Sequence, residues 1–387
     1  MIASNKIKYN FFWKLLFLIV SPSLAYVLFN LSSLSVGLVL VSAVILLFNN
    51  FEIYIKDIKG LPLIVVHVFF GFEFIKTIYL GLSMLTLVQI YLSLIIIILI
   101  SQNLVHNAVT INFRANYKYV AYVLILILLI NIFNIQIGNY NLFEKAVFPF
   151  SEPSHLALTF GYFLPTVFYM QKNRIVKFSL FIIFLFFGFF YESLIFVFVI
   201  LTSYFIASKV GLKILFSISL VVLFLILIEV NYDIINTDYY SSRLNFQNSD
   251  NISVLVFLQG WEIIMTTLND YNLIGVGLNN LETFPNGPVS ESIYAILGEY
   301  KNRQGGGFLA SKIIGETGVL GIVTIIIYVK FVFLKFKNIA KKKSLLNFFY
   351  SSVLFISLFE LFFRGMGYFT IGTILTTCSL IYFKTND

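Results

Sequence analysis

Three of the chain's five arginines, Arg243, Arg303 and Arg364, stand apart from its lysines in the hydropathy pattern. A guanidinium is a planar fork of donors that stays charged and matches phosphate or carboxylate oxygens two at a time. Three such groups on one side of an apolar chain could grip a phosphate-bearing substrate, and each equally fits a pairing with an acidic residue or a lipid headgroup. Glu152 is the carboxylate best placed among them to take a proton from a hydroxyl. It also suits a purely structural role, since a carboxylate at the start of an apolar helix favours the helix dipole and caps free amides. His155, one turn further on, fits a contact to hydroxyl groups or a bond inside a helix bundle.

What positions these residues is a membrane fold. The chain has 387 residues, of which 59% are apolar and 11% charged, with a mean hydropathy of +0.92. A soluble domain carries roughly 25% charged residues, so this is an integral membrane protein. The net charge of +8 is scattered in short clusters between apolar runs and builds no basic face for nucleic acid. The single cysteine, Cys378, excludes an internal disulfide or a cysteine cluster, and His67, His106 and His155 lie too far apart to suggest a metal site.

Membrane helices need about 17 to 25 mostly apolar residues, and lysine and arginine collect in cytoplasmic loops. Applied together, the two rules predict about twelve spans, with both termini cytoplasmic. The first run, following Lys6, Lys8 and Lys14, is read as a retained span rather than a signal peptide, because no small-residue cleavage site ends it. Spans follow at about 34–48, 61–80, 82–101, 119–136 and 154–171. Residues 178–208 are read as two short spans turning outside at Tyr191-Glu192-Ser193, the alternative being one long tilted helix. Spans at about 212–230, 308–330, 346–363 and 366–383 complete the set. This arrangement puts 17 of 21 lysines inside but leaves Arg243, Arg303 and Arg364 outside.

Between the ninth and tenth spans lies the one long polar interval, 231–307, read as a large external loop containing short helices. Within it, Gln259, Glu262, Thr266 and Asn269 are three and four apart along 252–269, the pattern of a helix lying at the membrane interface. Gly275-Val276-Gly277 reads as a turn, and Gly305-Gly306-Gly307 as a flexible joint before span ten. Trp261, Tyr294 and Tyr368 could stack on sugar rings or belong to the aromatic belt of the interface. An unpaired carboxylate within a span is costly, so Glu316 should face inward and pair with Lys312. Glu73 and Lys76 are spaced for a similar pair, and Glu360, four residues before Arg364, is placed to orient it.

The segment Phe150-Ser151-Glu152-Pro153-Ser154-His155 resembles the Glu-Pro-Ser segment of Wzy-type O-antigen and capsular polysaccharide polymerases. Ser242-Arg243-Leu244, Gly260-Trp261, Ile274-Gly275-Val276-Gly277 and Gly315-Glu316-Thr317-Gly318-Val319-Leu320-Gly321 resemble that family's further landmarks in the same order. Arg364-Gly365 with Tyr368 resembles its C-terminal hairpin, so that the likeness runs over roughly 148–368. At the turn between the seventh and eighth spans many members carry Ser-Arg, whereas this chain has Tyr191-Glu192-Ser193, and no arginine contact carries over there.

The resemblance implies an all-α, polytopic transmembrane bundle similar to the GT-C-like glycosyltransferases, in the bacterial cytoplasmic membrane, with its active site external. It implies a metal-independent enzyme without cofactor that joins oligosaccharide repeat units carried on undecaprenyl diphosphate. Its further partners would be membrane lipids and a chain-length regulator protein, with no nucleic acid. Glu152, Arg243 and Arg364 would be catalytic, the arginines stabilising the departing diphosphate and Arg303 serving as a third. His155, Trp261, Gly275, Gly277, Arg303, Glu316 and Tyr368 would bind substrate. Two alternatives stay open. A ligase that moves polymer onto lipid A core shares this architecture, but ligases usually carry a histidine in the long loop and none falls in 231–307. A lipid-linked sugar flippase or other transporter would show paired repeats, and the sequence shows no convincing repeat.

Overall fold

The computed structural model describes residues 2–48, 61–110, 113–132, 146–208, 242–244, 246, 250–270, 273–283, 285–300, 302–337 and 344–386. The ninth predicted span, at about 212–230, lies outside the described residues.

Everything described is helix, turn or irregular chain, apart from a single isolated bridge between Val147 and Phe150. The first five helices are α1 (Ile2–Leu28), α2 (Leu34–Phe48), α3 (Leu61–Tyr79), α4 (Met84–Thr110) and α5 (Phe113–Ile132). After them come α6 (Pro153–Gly161), α7 (Leu164–Met170), α8 (Arg174–Phe190) and α9 (Leu194–Ala207). The long loop contributes α10 (Ile252–Asp270), a single 3-10 turn (Leu281–Thr283) and α11 (Pro288–Leu297). The chain then runs through α12 (Leu309–Thr317), α13 (Val319–Lys337), α14 (Leu345–Phe362) and α15 (Ile371–Asn386).

Among the described residues, four helices are long and apolar enough to cross a membrane, at Met84–Val109, Ile252–Asn269, Val319–Lys337 and Leu345–Phe362. The side chains agree with a membrane setting. On α3, Val68, Phe72, Ile75 and Tyr79 point outward at helical spacing, while Glu73, Lys76 and Thr77 are buried. A helix with its apolar face out and its charges in inverts the pattern of a soluble protein and suits a lipid surround. The chain is therefore an all-α membrane protein.

The interval 178–208 forms two helices, α8 and α9, as expected. Glu192 adopts φ +46 at the turn, and the Ser193 hydroxyl accepts from the Phe196 amide to cap α9. Two predicted spans turn out to be broken. The sixth divides into α6 and α7 because Pro165 cannot supply an amide to the preceding turn. There the buried Tyr117 hydroxyl donates to the Phe163 carbonyl at 2.7 Å, which also accepts from the Thr166 and Val167 amides at 3.1 Å each. The tenth divides into α12 and α13 at Gly318, which has φ +62. Its amide still bonds the Ile314 carbonyl, while the next amide, Val319, turns away to the Leu273 carbonyl of the loop at 2.8 Å.

The main core is assembled from α1, α2, α4 to α9 and α13 to α15, with Phe160, Phe163, Phe168 and Phe196 fully enclosed. Gly161 lets α6 approach α9 and α14, since a Cβ there would meet Val199 at 2.6 Å and Ile356 at 3.1 Å. A smaller core joins α10, α12, α13 and α14 around Phe308 and Ile264.

Candidate functional site

Glu152 and Arg364 come from segments 212 residues apart and meet in an ion pair, Arg364 Nη2 to Glu152 Oε2, at 2.8 Å. Each is brought there by a helix end. Glu152 is the extended residue just before α6, with Pro153 opening the helix behind it. Arg364 follows Phe363, the residue that ends α14. The Ser154 hydroxyl donates to the same Glu152 oxygen at 3.1 Å. Ser151 Oγ and His155 Nδ1 lie 3.3 Å apart alongside. The guanidinium retains an unused donor, because Arg364 Nε is buried and has no hydrogen-bond partner. The pair is half open to solvent, with side chains 21% exposed for Arg364 and 46% for Glu152.

Burial pushes the Glu152 carboxyl upward, but the Arg364 guanidinium, then His155 and the Ser154 hydroxyl, outweigh it and hold the group at about 2. A carboxylate at that value is a weak proton acceptor while the pair is intact.

The expectation that Glu360 orients Arg364 is corrected. Glu360 Oε2 instead accepts from the Tyr162 hydroxyl at 2.6 Å. The two residues are four apart, but α14 ends at Phe362, so Arg364 lies beyond the helix and the spacing no longer places it on the face of Glu360.

A second constellation is fully buried and neutral overall. Lys76 Nζ donates to Glu73 Oε1 at 2.7 Å, and Lys312 Nζ pairs with Glu316 Oε1 at 2.8 Å. Both predicted local pairs are present, and they are joined to each other, since Lys76 Nζ also donates to the Glu316 carbonyl at 2.8 Å. Lys312 reaches the Gln304 carbonyl at 2.6 Å and stands 5.0 Å from the centre of the Tyr368 ring. The Tyr368 hydroxyl donates to Glu316 Oε2. The union of the two pairs was not anticipated from the sequence. Its available signal was that both acid–base pairs fall near the predicted outer ends of their spans, at one depth.

Gly275 and Gly277 serve that same helix end. The Val276 amide bonds the Gly315 carbonyl at 3.0 Å and the Gly277 amide bonds the Glu316 carbonyl at 2.9 Å. These are carbonyls that the end of α12 leaves without helical partners. Both glycines have positive φ, +79 and +90, and a Cβ on Gly275 would sit 2.6 Å from the Glu316 carbonyl carbon. The turn therefore caps a helix, and these two amides are already committed.

Gly305-Gly306-Gly307 was expected to be a flexible joint, and at two of its three positions it is tightly packed instead. Gly306 and Gly307 have φ +69 and +77, and a Cβ on Gly306 would lie 3.1 Å from the Lys312 backbone. The Gly365 amide bonds the Gly307 carbonyl at 3.3 Å. This segment thus stands between the two constellations, and the turn carrying Arg364 and Tyr368 touches both.

No protein-family model, curated protein or solved structure matches the chain.

The remaining predicted residues have other described neighbours. Arg243 is half-buried in a helical turn, 242–244, beside Ser242, which accepts from Asn251 Nδ2 at 3.0 Å. Arg303 stands 5.4 Å from the centre of the Tyr300 ring. Trp261 is 43% exposed on α10, with its ring centre 5.5 Å from that of Phe308. Of the polar stripe of α10, read as the mark of a helix at the membrane interface, Gln259 and Glu262 bond into the protein while Asn269 is exposed. Gln259 is buried and donates to Ser290 Oγ at 3.1 Å, while Glu262 accepts from the Val289 and Ser290 amides at 2.7 and 3.2 Å. The reason is α11, whose free N-terminal amides draw a carboxylate.

Proposed function

We propose that this chain is a polysaccharide polymerase on the outer face of the bacterial cytoplasmic membrane, joining oligosaccharide repeat units carried on undecaprenyl diphosphate. The observation that carries the reading is the Glu152–Arg364 pair, which brings a carboxylate and a guanidinium with a spare buried donor to one half-open spot from two distant segments. The resemblance of the segments around both residues to Wzy-type polymerases adds to it, and the proposed architecture is a bundle of about twelve spans related to the GT-C-like fold.

In the proposed reaction, the bond between the donor's anomeric carbon and the diphosphate oxygen breaks, and the bonding pair leaves with the lipid diphosphate. The acceptor's hydroxyl oxygen forms the new glycosidic bond and gives up its proton. Arg364 meets the charge that develops on the diphosphate, through the Nε donor and the Nη groups, in a partly desolvated site where such contacts are strong. Recruiting Arg364 to the diphosphate removes the main influence that holds Glu152 down. Burial then raises that carboxyl toward the range in which it can take the acceptor's proton. Substrate would thus switch the base on. Arg243 and Arg303 would act further along the lipid diphosphate or glycan, and Trp261 against a sugar ring.

The buried quartet Glu73–Lys76–Lys312–Glu316 also suits a transporter, since ionisable groups inside a membrane bundle often mark a transport path. Deleting the gene separates the readings. Loss of a polymerase leaves single repeat units on the cell surface, loss of a ligase leaves polymer on its lipid carrier, and loss of a flippase traps single units inside. Restoring the gene as Arg364→Ala should give single units at normal protein levels, with Arg364→Lys recovering only part of the chain length. Full-length ladders from Arg364→Ala would refute the assignment of the diphosphate to that arginine.

A further inference from the structure

At the other end of the α6–α7 pair lies a cavity of about 680 Å³ between the start of α5 and the end of α7. Along the pair, 18 residues from Pro153 to Met170, helical rise puts it roughly 27 Å from Glu152. Arg114, Lys118 and Lys172 line it, and no acidic residue does. None of the three has a hydrogen bond or ion pair to another described residue. Lys177, nearby on α8, differs in being bonded to the Ala207 carbonyl at 3.1 Å. Three unpaired cations around one hollow repel each other unless an anion lies between them. Arg114 also stands in the first turn of α5, where the helix dipole disfavours a cation and favours an anion.

The wall of the cavity is apolar where it meets the bundle, at Ala121, Val167 and Met170. From its mouth an outward stripe runs along α5 through Tyr119, Tyr122, Leu126 and Leu129, all 44% exposed or more. These positions share one helical face. A headgroup in the hollow would leave its tail free to follow that stripe, which a soluble anion would have no use for.

We propose that this cavity binds the phosphate headgroup of a membrane lipid, with the lipid tail lying along the outer face of α5. The phosphate sits among Arg114, Lys118 and Lys172, and Tyr122 flanks the glycerol or first tail carbons. Arginine and lysine collected at one end of the bundle mark that end as cytoplasmic under the rule used for topology, and basic hollows between helices on that side are suited to anionic headgroups. The proposal does not depend on the reaction performed at Glu152 and Arg364.

Full-length protein in detergent should be incubated with dioleoylphosphatidylglycerol, with a polyprenyl monophosphate, with dioleoylphosphatidylcholine or with glycerol phosphate, and the retained molecules counted by native mass spectrometry. Retention of either anionic lipid over phosphatidylcholine is the expected result, and whichever is held more tightly identifies the source of the phosphate. Each cation near a membrane phosphate contributes about fivefold in affinity, so Arg114→Gln/Lys118→Gln/Lys172→Gln should weaken retention on the order of a hundredfold. All three side chains are exposed, so far-ultraviolet circular dichroism should be unchanged. A Tyr122→Ser/Leu126→Ser variant should lose lipid while keeping the charges. Equal retention by the wild type and the triple variant overturns the proposal, as does glycerol phosphate binding as tightly as the lipids.

Discussion

Replacing Lys312 by methionine keeps most of the side-chain volume and removes one charge from the buried quartet. In the native protein that ammonium holds Glu316 Oε1 at 2.8 Å and the Gln304 carbonyl at 2.6 Å. Glu316 is 0% exposed, so without Lys312 its charge keeps only the Tyr368 hydroxyl as a direct partner, with Lys76 bound to its backbone carbonyl rather than its carboxylate. Breaking a buried ion pair from one side costs about 3–5 kcal/mol, which is close to three decades in the folding equilibrium. Removing both charges in Lys312→Met/Glu316→Gln leaves only imperfect hydrogen bonding, at about 1–2 kcal/mol. The double variant should therefore be more stable than the single one by about 2 kcal/mol. Unfolding in mixed non-ionic detergent and dodecyl sulfate micelles, followed by circular dichroism, measures all three proteins. Equal losses in the single and double variants would mean that water reaches the quartet and that its burial has been misread.

Three further outcomes follow from the geometry. Arg364→Gln should raise the titration of Glu152 from about 2, because burial then acts against a weaker opposing influence. Since the folded value lies below the unfolded one, the native pair's stabilisation is complete above about pH 4.5 and fades as pH falls toward 2; infrared difference spectra against Glu152→Gln would follow the carboxyl, and an unchanged titration would contradict the pairing. Gly298→Ala, at φ +71 with open space around it, should cost about 1–2 kcal/mol. Gly275→Ala, whose Cβ would press on the Glu316 backbone at 2.6 Å, should cost clearly more and lower the yield of folded protein. Tyr162→Phe should destabilise by about 1–3 kcal/mol, because the buried Glu360 loses the hydroxyl that donates to it, and a neutral result would mean that another donor takes its place.

Local spacing and charge parity made much of the bundle legible. The Tyr191-Glu192-Ser193 turn was readable because lysines at both ends of 178–208 require the chain to return to its starting side, and Ser193 is a good helix cap. The Glu73–Lys76 and Lys312–Glu316 pairs were readable because residues three and four apart on a helix are neighbours. The same rule misled at Glu360 and Arg364, where the helix stops between the two. On α10 the spacing showed the polar stripe but not that Glu262 within it serves the N-terminus of α11. The bond from Lys76 to the Glu316 carbonyl crosses 240 residues. Nothing in local spacing encodes it, because it depends on where α12 ends, and that end is set by Gly318.

The break at Gly318 gives this end of α12 a mechanical property. The amides of Val276, Gly277 and Val319 and the ammonium of Lys76 all close on backbone carbonyls at this one junction. Pulling the 273–277 turn away would strip several of them together and expose a lysine and the end of a helix at the same moment. The turn therefore releases all at once or stays shut, like a clasp with several teeth on one spring.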